Sequence, residues 1–194
     1  MAVVIDGTTG ITTPALDSTG ASTFTGALAL PAGGLNVGSG QLAVDASGRV
    51  TMSSQPAFFV GGSNGTTAAS VTYVPNSGFI SYNVGGALNT TTGVFTAPVT
   101  GMYMFSWIFL MQGVTNAAQV DPQYAVNGVG YFYGPRAAAS SPNTFGDGYF
   151  CVTGSIVRKL SAGDTFYVSS NVSTGTFKFY DSNTWTQYMG MLIS

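Results

Sequence analysis

The sequence predicts an all-β protein whose C-terminal part is a jelly-roll β-sandwich. Residues 58–194 contain about ten short segments rich in aromatic and β-branched residues, separated by Gly, Pro, Asn and Asp. Asn127-Gly128 joins two of these segments, and this dipeptide favours a two-residue β-hairpin. No part of the chain combines a 3.6-residue apolar period with helix-capping residues. Many short strands at this spacing are typical of a sandwich or barrel without helices.

Clear turn signals separate the expected strands. Pro75-Asn76, Gly85-Gly86, Ser161–Gly163 and Asp181–Asn183 favour turns because these residue types adopt the required backbone angles or cap the turn. In chain order, the expected strands are Ala57–Val60, Val71–Val74, Gly78–Val84, Gly93–Ala97, Met102–Met111, Gln123–Val126, Val129–Tyr133, Gly148–Arg158, Asp164–Asn171, Thr176–Tyr180 and Thr184–Ile193.

The strand Met102–Met111 is apolar on both faces. It has no charged residue, but it is too short for a membrane helix, which needs about 20 apolar residues. A strand of this kind has to be covered on both sides. We therefore expect one face in the core of its own sandwich and the other against a second subunit; the alternative places both faces in one thick monomer core. The residues expected in the core or at a trimer interface are Tyr103, Phe105, Trp107, Phe109, Met111 and Tyr188.

Residues 1–57 differ in composition from residues 58–194, and we treat the two as separate domains. The first part has one aromatic residue, Phe24, and all the others lie in the second. Pairs of apolar residues recur with Gly and Pro between them, which predicts very short strands and tight turns because both residues disfavour helices. The pairs are Leu28–Leu30, Leu35–Val37, Leu42–Val44 and Val50–Met52. A low-complexity tail and a shaft of several wound chains both fit this pattern, and we expect the shaft.

The composition excludes most catalytic chemistry. The chain has no His, no Glu and a single Cys, so it lacks the pairs that activate a serine or cysteine nucleophile and the ligands of a zinc site. Cys151 is expected to be a small buried apolar residue. With only five Lys and Arg, the chain has no basic surface for nucleic acid. We therefore expect no enzyme activity, no cofactor and no metal.

Three loop carboxylates, Asp121, Asp147 and Asp181, are the remaining acidic candidates. A carboxylate pair can act as the acid and base of a glycosidase, and carboxylates around a threefold axis can hold calcium. No Asp-rich calcium loop supports the second option, and Asp is common in turns because its side chain caps the backbone. We expect turn residues, with calcium binding as a weakly supported alternative.

Four ordered motifs resemble the signature of C1q-like globular heads. FTAPVTGMYMF occupies residues 95–105, and the hairpin Asn127-Gly128 follows it. LSAGD at 160–164 precedes a short apolar strand, and YMGML lies at 188–192. This resemblance covers residues 58–194, with an unusually long loop at 134–148, and implies a homotrimer of jelly rolls around a threefold axis.

The N-terminal segment is similar to fibre and appendage proteins of tailed bacteriophages. IDGTTGITTPAL at 5–16, followed by short repeats rich in Gly, Ala and Thr, carries this resemblance. The two resemblances together imply a non-enzymatic, homotrimeric fibre protein located in the virion, in a tail fibre or another external appendage. The N-terminal part would bind other virion proteins, and the head would bind a host-surface glycan or protein without membrane insertion. The alternatives are structural decoration of the capsid, collar or baseplate and, less expected, a polysaccharide depolymerase.

Loops rich in aromatic, amide and hydroxyl groups are the expected receptor contacts. A surface with few charges suits a neutral glycan, because rings stack on sugar faces and amides hydrogen-bond to sugar hydroxyls. The candidate residues in these loops are Arg136, Asn143, Phe145, Asp147 and Asn183. Tyr133 and Trp185 lie beside the loops and are expected instead in the core or at a trimer interface.

Overall fold

The computed structural model describes residues 36–37, 42–44, 47–114, 119–132 and 149–194 of the chain. In these ranges all regular secondary structure is β, apart from a short 3₁₀ helix at Ser77–Phe79. The predicted all-β class is therefore confirmed, and two antiparallel sheets form a jelly-roll-like sandwich. None of the helical structure in the described part of the chain has the length and apolarity that a membrane crossing requires.

The strands fall close to the predicted positions. In chain order they are β1 (Asn36–Val37), β2 (Leu42–Val44), β3 (Val50–Thr51), β4 (Ala57–Gly61), β5 (Ser70–Thr72), β6 (Ile80–Val84), β7 (Leu88–Asn89), β8 (Val94–Thr96), β9 (Gly101–Gln112), β10 (Val120–Val126), β11 (Val129–Phe132), β12 (Tyr149–Leu160), β13 (Thr165–Val172), β14 (Lys178–Phe179) and β15 (Thr186–Leu192).

These strands form two larger sheets and one small one. Sheet I has the order β12-β9-β15-β4-β6, with β14 also paired to β9. Sheet II has the order β11-β10-β13-β8-β7, with β5 also paired to β13. The small sheet, β1-β2-β3, contains Val37, Leu42, Val44 and Val50 from three of the predicted apolar pairs; Leu35 and the fourth pair, Leu28–Leu30, lie outside the described residues.

Aromatic side chains from both sheets fill the space between them. The rings of Phe105 on β9 and Phe166 on β13 stack with centroids 3.8 Å apart and planes 4° from parallel. Tyr124 on β10 continues this stack, with its ring 5.5 Å from that of Phe166. Aromatic pairs of this kind add to the free energy gained by burying their apolar area. The stack therefore connects sheet I directly to sheet II.

The turn between β10 and β11 shows why the chain reverses where the sequence predicts. Asn127 and Gly128 both adopt positive φ angles, 50° and 78°, which a type I′ hairpin requires and which these two residues tolerate. Val126 and Val129 pair directly across this turn, so β10 and β11 form the tight hairpin that was expected.

Candidate functional site

The side of sheet I that faces away from the core is rich in apolar residues, and we call it the outer face. It arises because side chains alternate along each strand: on β9 the odd-numbered residues from Tyr103 to Met111 are buried, whereas the even-numbered ones are half-buried. The outer face comprises Met102, Met104, Ser106, Ile108 and Leu110 of β9, Ala57 and Phe59 of β4, Tyr82 and Val84 of β6, Cys151, Thr153, Ser155, Val157 and Lys159 of β12, and Gln187, Met189 and Met191 of β15.

The register of the strands aligns these residues in rows across the sheet. One row is apolar from edge to edge and consists of Val157, Met104, Met191, Ala57 and Val84. Val157 at its edge is 46% exposed. A continuous apolar surface of this kind is rare on soluble monomers and marks an interaction surface. The outer face is therefore the first candidate functional site.

The opposite face of β9 lies in the core. Tyr103, Phe105, Phe109 and Met111 are fully buried there, with Trp107 almost so. Tyr188 of β15 is also fully buried among them. All six residues predicted for the core or a trimer interface thus pack inside the sandwich of a single chain. The alternative of one thick core around both faces is wrong, because the outer face remains partly exposed.

One further expectation about burial is wrong, and for Trp185 one of its two expected places, the core, is excluded. Cys151 was expected to be buried but is exposed on the edge strand β12, where it pairs with Leu110. Nearby groups still desolvate its thiol enough to raise its pKa. Trp185 does not pack in the core of its own chain: it is 57% exposed in the turn that precedes β15.

A surface pocket of about 350 Å³ lies at the end of sheet I and contains one of the predicted receptor residues, Asn183. The pocket borders β4, β6 and β15, together with the turns that precede β6 and β15. Its lining consists of Phe59, Gly61, Gly78, Phe79, Ile80, Ser81, Asn183 and Gln187. Phe59 and Gln187 had no local sequence signal, because the pocket brings them together through the pairing of β4 with β15.

Hydrogen bonds hold the two turns of the pocket together. The Nδ2 amide of Asn76 donates to both carboxylate oxygens of Asp181, at 3.0 Å each. Oδ1 of Asn76 accepts from the backbone N–H of Gly78 at 2.8 Å and so caps the 3₁₀ helix that carries Phe79. The backbone N–H of Ser63 also donates to Oδ1 of Asp181, at 3.2 Å. Asp181 is therefore a structural turn residue, as the sequence predicted.

The remaining predicted receptor residues, Arg136, Asn143, Phe145 and Asp147, lie outside the described residues, as does Tyr133. Within the described ranges, no three His, Cys, Asp or Glu side chains come together as metal ligands. Asp121 accepts a hydrogen bond from Nε2 of Gln119 at 2.5 Å.

The comparisons with known proteins agree with this architecture. The family model described as C1q domain matches residues 57–193. The globular domain of zebrafish complement 1qA protein is 17% identical with a TM-score of 0.52, covering 72% of this chain and 98% of that chain. The crystal structure of murine APRIL at pH 8.5 is 15% identical with a TM-score of 0.52, covering 72% of this chain and 99% of that chain.

A third solved structure, Eiger TNF from S. frugiperda, is 14% identical with a TM-score of 0.50, covering 72% of this chain and 93% of that chain. No curated protein matches the sequence. Since the family model matches more than half of the chain, this protein belongs to the C1q domain family. At these levels of identity the solved structures support the fold alone.

Proposed function

We propose that this protein is a non-enzymatic, homotrimeric appendage protein of a tailed bacteriophage. Its N-terminal part, residues 1–57, attaches to other proteins of the virion. Its C1q head, residues 58–194, binds a receptor on the host surface, and the receptor is a glycan.

The apolar outer face of sheet I is the observation that carries this proposal. In a cyclic trimer each subunit contributes the same surfaces, and the ring closes without leaving an open end. Burying Met104 and Met191 against a neighbouring subunit removes the apolar row from water, which contributes about 25 cal/mol for each Å². No charged side chain lies in that row, so assembly there carries no cost for desolvating an ion.

Two further arguments support the proposal. Domains of the C1q family are typically trimeric and receptor-binding, and they are generally not enzymes. The segment IDGTTGITTPAL and the repeats that follow it resemble phage fibre proteins, and this resemblance supports a head at the outer end of an anchored chain. Three weak receptor sites on one trimer give strong attachment through avidity.

Sedimentation of the full chain tests the assembly. We expect three copies per particle at micromolar concentration. Met104→Lys places an ammonium group in the middle of the apolar row, and an uncompensated buried charge costs about 3–5 kcal/mol, so this variant should dissociate. Val129→Lys is the matched control, because Val129 is 57% exposed on sheet II and should leave the trimer intact. A wild-type chain that sediments as a single polypeptide would overturn the assembly.

Competition for adsorption tests the receptor role. An excess of purified protein should block adsorption of virions that carry this chain to their host cells, and the dissociated Met104→Lys variant should block it less. Adsorption that is unchanged by the wild-type protein would contradict receptor binding and favour structural decoration. Release of reducing ends from host polysaccharide would instead identify a depolymerase.

A further inference from the structure

The pocket beside Asn183 combines two phenyl rings with neutral polar groups. Phe59 and Phe79 supply the rings, Asn183 and Gln187 supply carboxamides, and Ser81 supplies a hydroxyl. None of the eight lining side chains is ionisable. We propose that this pocket is a binding subsite for one pyranose ring of a neutral saccharide; the inference rests on the proposed glycan-binding function and locates it. Phe59 and Gln187 also belong to the outer face, in the two rows beside the apolar row, so the subsite requires a subunit contact that covers the apolar row and leaves this end of sheet I open.

The chemistry of a pyranose matches this lining. One face of the sugar ring presents C–H groups that pack on an aromatic ring, while its hydroxyls both donate and accept hydrogen bonds, as carboxamides do. Nε2 of Gln187 donates to the backbone oxygen of Asn183 at 2.8 Å. Among the described residues, Oε1 and the second amide hydrogen of Gln187 have no hydrogen-bond partner, so both remain available to a ligand.

The walls of the pocket are fixed before any ligand arrives. The turn with Phe79 and the turn with Asn183 are connected through the hydrogen bonds between Asn76 and Asp181. Gly62 lies where these turns meet, and a Cβ atom at this position would come within 2.8 Å of Oδ1 of Asp181. A pocket whose walls need no rearrangement loses less free energy to ordering when it binds.

The size and charge of the pocket select the kind of sugar. Its volume of about 350 Å³ is near the lower end of the range for small-molecule pockets, about 300–1,000 Å³, which fits one ring rather than a long chain. An acidic sugar would bring a carboxylate against a lining without a cationic partner, so it gains no ion pair there. Asp181, directly behind the wall, repels such a carboxylate. The pocket therefore discriminates against uronic and sialic acids.

Trp185 extends the site beyond the pocket. In the sequence it lies between Asn183 and Gln187, in the turn that precedes β15, and it is 57% exposed, so its indole offers a stacking surface for a second sugar ring. A two-ring ligand would then be held by the pocket at one ring and by Trp185 at the other.

Saturation-transfer difference NMR on the full chain tests the subsite. The probes are glucose, galactose, N-acetylglucosamine and glucuronic acid. We expect transfer to one of the neutral sugars, mainly at the protons of one ring face, with a dissociation constant of about 1 mM and about tenfold weaker binding of glucuronic acid. Gln187→Ala should weaken binding of the neutral sugar about tenfold.

Gln112→Ala is the matched control. Gln112 is also a half-buried amide at the end of a strand of sheet I, with one hydrogen bond to the hydroxyl of Tyr149 at 3.1 Å, but it does not line the pocket. Binding in this variant should equal the wild type. Phe79→Ala should abolish transfer while the trimer persists; if it dissociates the trimer instead, a neighbouring subunit fills the pocket and the inference is wrong.

The outcome of the sugar-binding experiment can be distinguished from the outcome of the adsorption experiment that tests the proposed function. No transfer to any of the three neutral sugars, or unchanged binding in Gln187→Ala, would overturn the subsite even if the protein blocks virion adsorption. Sugar binding that depends on Gln187, in a protein that does not affect adsorption, would support the subsite and overturn host attachment.

Discussion

The side-chain amide of Asn127 donates a hydrogen bond to Oδ1 of Asp164 at 2.9 Å. Oδ1 of Asn127 accepts one from the backbone N–H of Thr165 at 2.8 Å. These contacts attach the β10–β11 hairpin to the turn between β12 and β13. Oδ2 of Asp164 accepts from the N–H of Ser161 at 2.8 Å within that turn.

These bonds predict how stability depends on pH. The hydrogen bond from Asn127, and next that from Ser161, hold the pKa of Asp164 below its ordinary value. The ionised carboxylate therefore stabilises the folded state above the pKa of an unfolded aspartate, about 3.9. This contribution is lost as the pH falls through the lower pKa of the folded state. Asp164→Asn should lower the free energy of unfolding at neutral pH, and its difference from the wild type should narrow below about pH 4.

Urea unfolding between about pH 7 and about pH 3 measures this difference. Asn127→Gly is the companion variant, because glycine tolerates the positive φ at this position and lacks the side-chain contacts, while its added entropy in the unfolded chain does not depend on pH. Its difference from the wild type should narrow over the same pH interval. A difference for Asp164→Asn that stays constant down to about pH 3 would contradict the assigned cause.

The glycine of the YMGML motif makes room for two aromatic rings. A Cβ atom on Gly190 would come within 2.5 Å of Cε1 of Phe58 and 2.7 Å of Cδ1 of Phe105. Both rings are buried, so neither can move aside freely. Gly190→Ala should therefore lower the free energy of unfolding by about 1–3 kcal/mol, the usual cost of overpacking a core. Thermal and urea unfolding measure it.

Gly65→Ala is the control for this substitution. A Cβ atom there would meet only ordinary contacts, the nearest being Cδ of Lys178 at 3.6 Å. Its effect should stay within about 0.5 kcal/mol. Equal destabilisation by the two variants would show that Gly190 is not a packing requirement.

Buried tyrosines differ in what their hydroxyls contact. The hydroxyl of Tyr103 donates to the backbone oxygen of Val99 at 2.7 Å. Those of Tyr73 and Tyr188 are buried without a hydrogen-bond partner among the described residues, and burial raises the pKa of Tyr188 well above its ordinary value. Tyr103→Phe should cost about 0.5–1.5 kcal/mol, whereas Tyr188→Phe should be neutral or stabilising because it removes a buried polar group without a partner. Urea unfolding of both variants distinguishes these outcomes, and a loss of stability in Tyr188→Phe equal to that in Tyr103→Phe would contradict the contrast.

Local patterns in the sequence predicted the strands and several turns. Alternation along Met102–Met111 predicted two apolar faces, and the structure places the aromatic face inside and the methionine-rich face outside. The hairpin at Asn127-Gly128 followed from the positive φ angles that these residues tolerate. These features were predictable because they depend on neighbouring residues alone.

The motif at residues 97–101 shows what the family resemblance added. The backbone oxygen of Ala97 accepts a hydrogen bond from the N–H of Gly163 at 2.8 Å, and the hydroxyl of Thr100 accepts one from the N–H of Ala162 at 3.0 Å. Two motifs of the C1q signature therefore meet at one corner of the sandwich. Composition and periodicity give no sign of such a contact, because it joins distant segments of the chain.

Residue type alone gave the wrong prediction for the burial of Cys151. Cysteine is commonly buried, but the alternation along β12 assigns it to the outside, since its neighbour Val152 and the strand's last residue, Leu160, both point into the core. Counting every second residue back from Leu160 assigns Val152 to the core side of the strand and Cys151 to the outer side.

The pocket could not be predicted from the sequence for a different reason. Phe59 and Gln187 come together only through the register of β4 and β15, which no local pattern specifies.

Cys151 also reports on the assembly, since it is the only cysteine in the chain. It lies on the outer face beside Leu110, so a neighbouring subunit that covers this face should shield its thiol. We expect maleimide to label the wild-type protein several-fold more slowly than the dissociated Met104→Lys variant at the same pH. In both proteins the rate should rise with pH, because burial raises the pKa of the thiol and only the thiolate reacts. Equal labelling rates in the trimer and the dissociated variant would show that the contact between subunits leaves this end of the outer face uncovered.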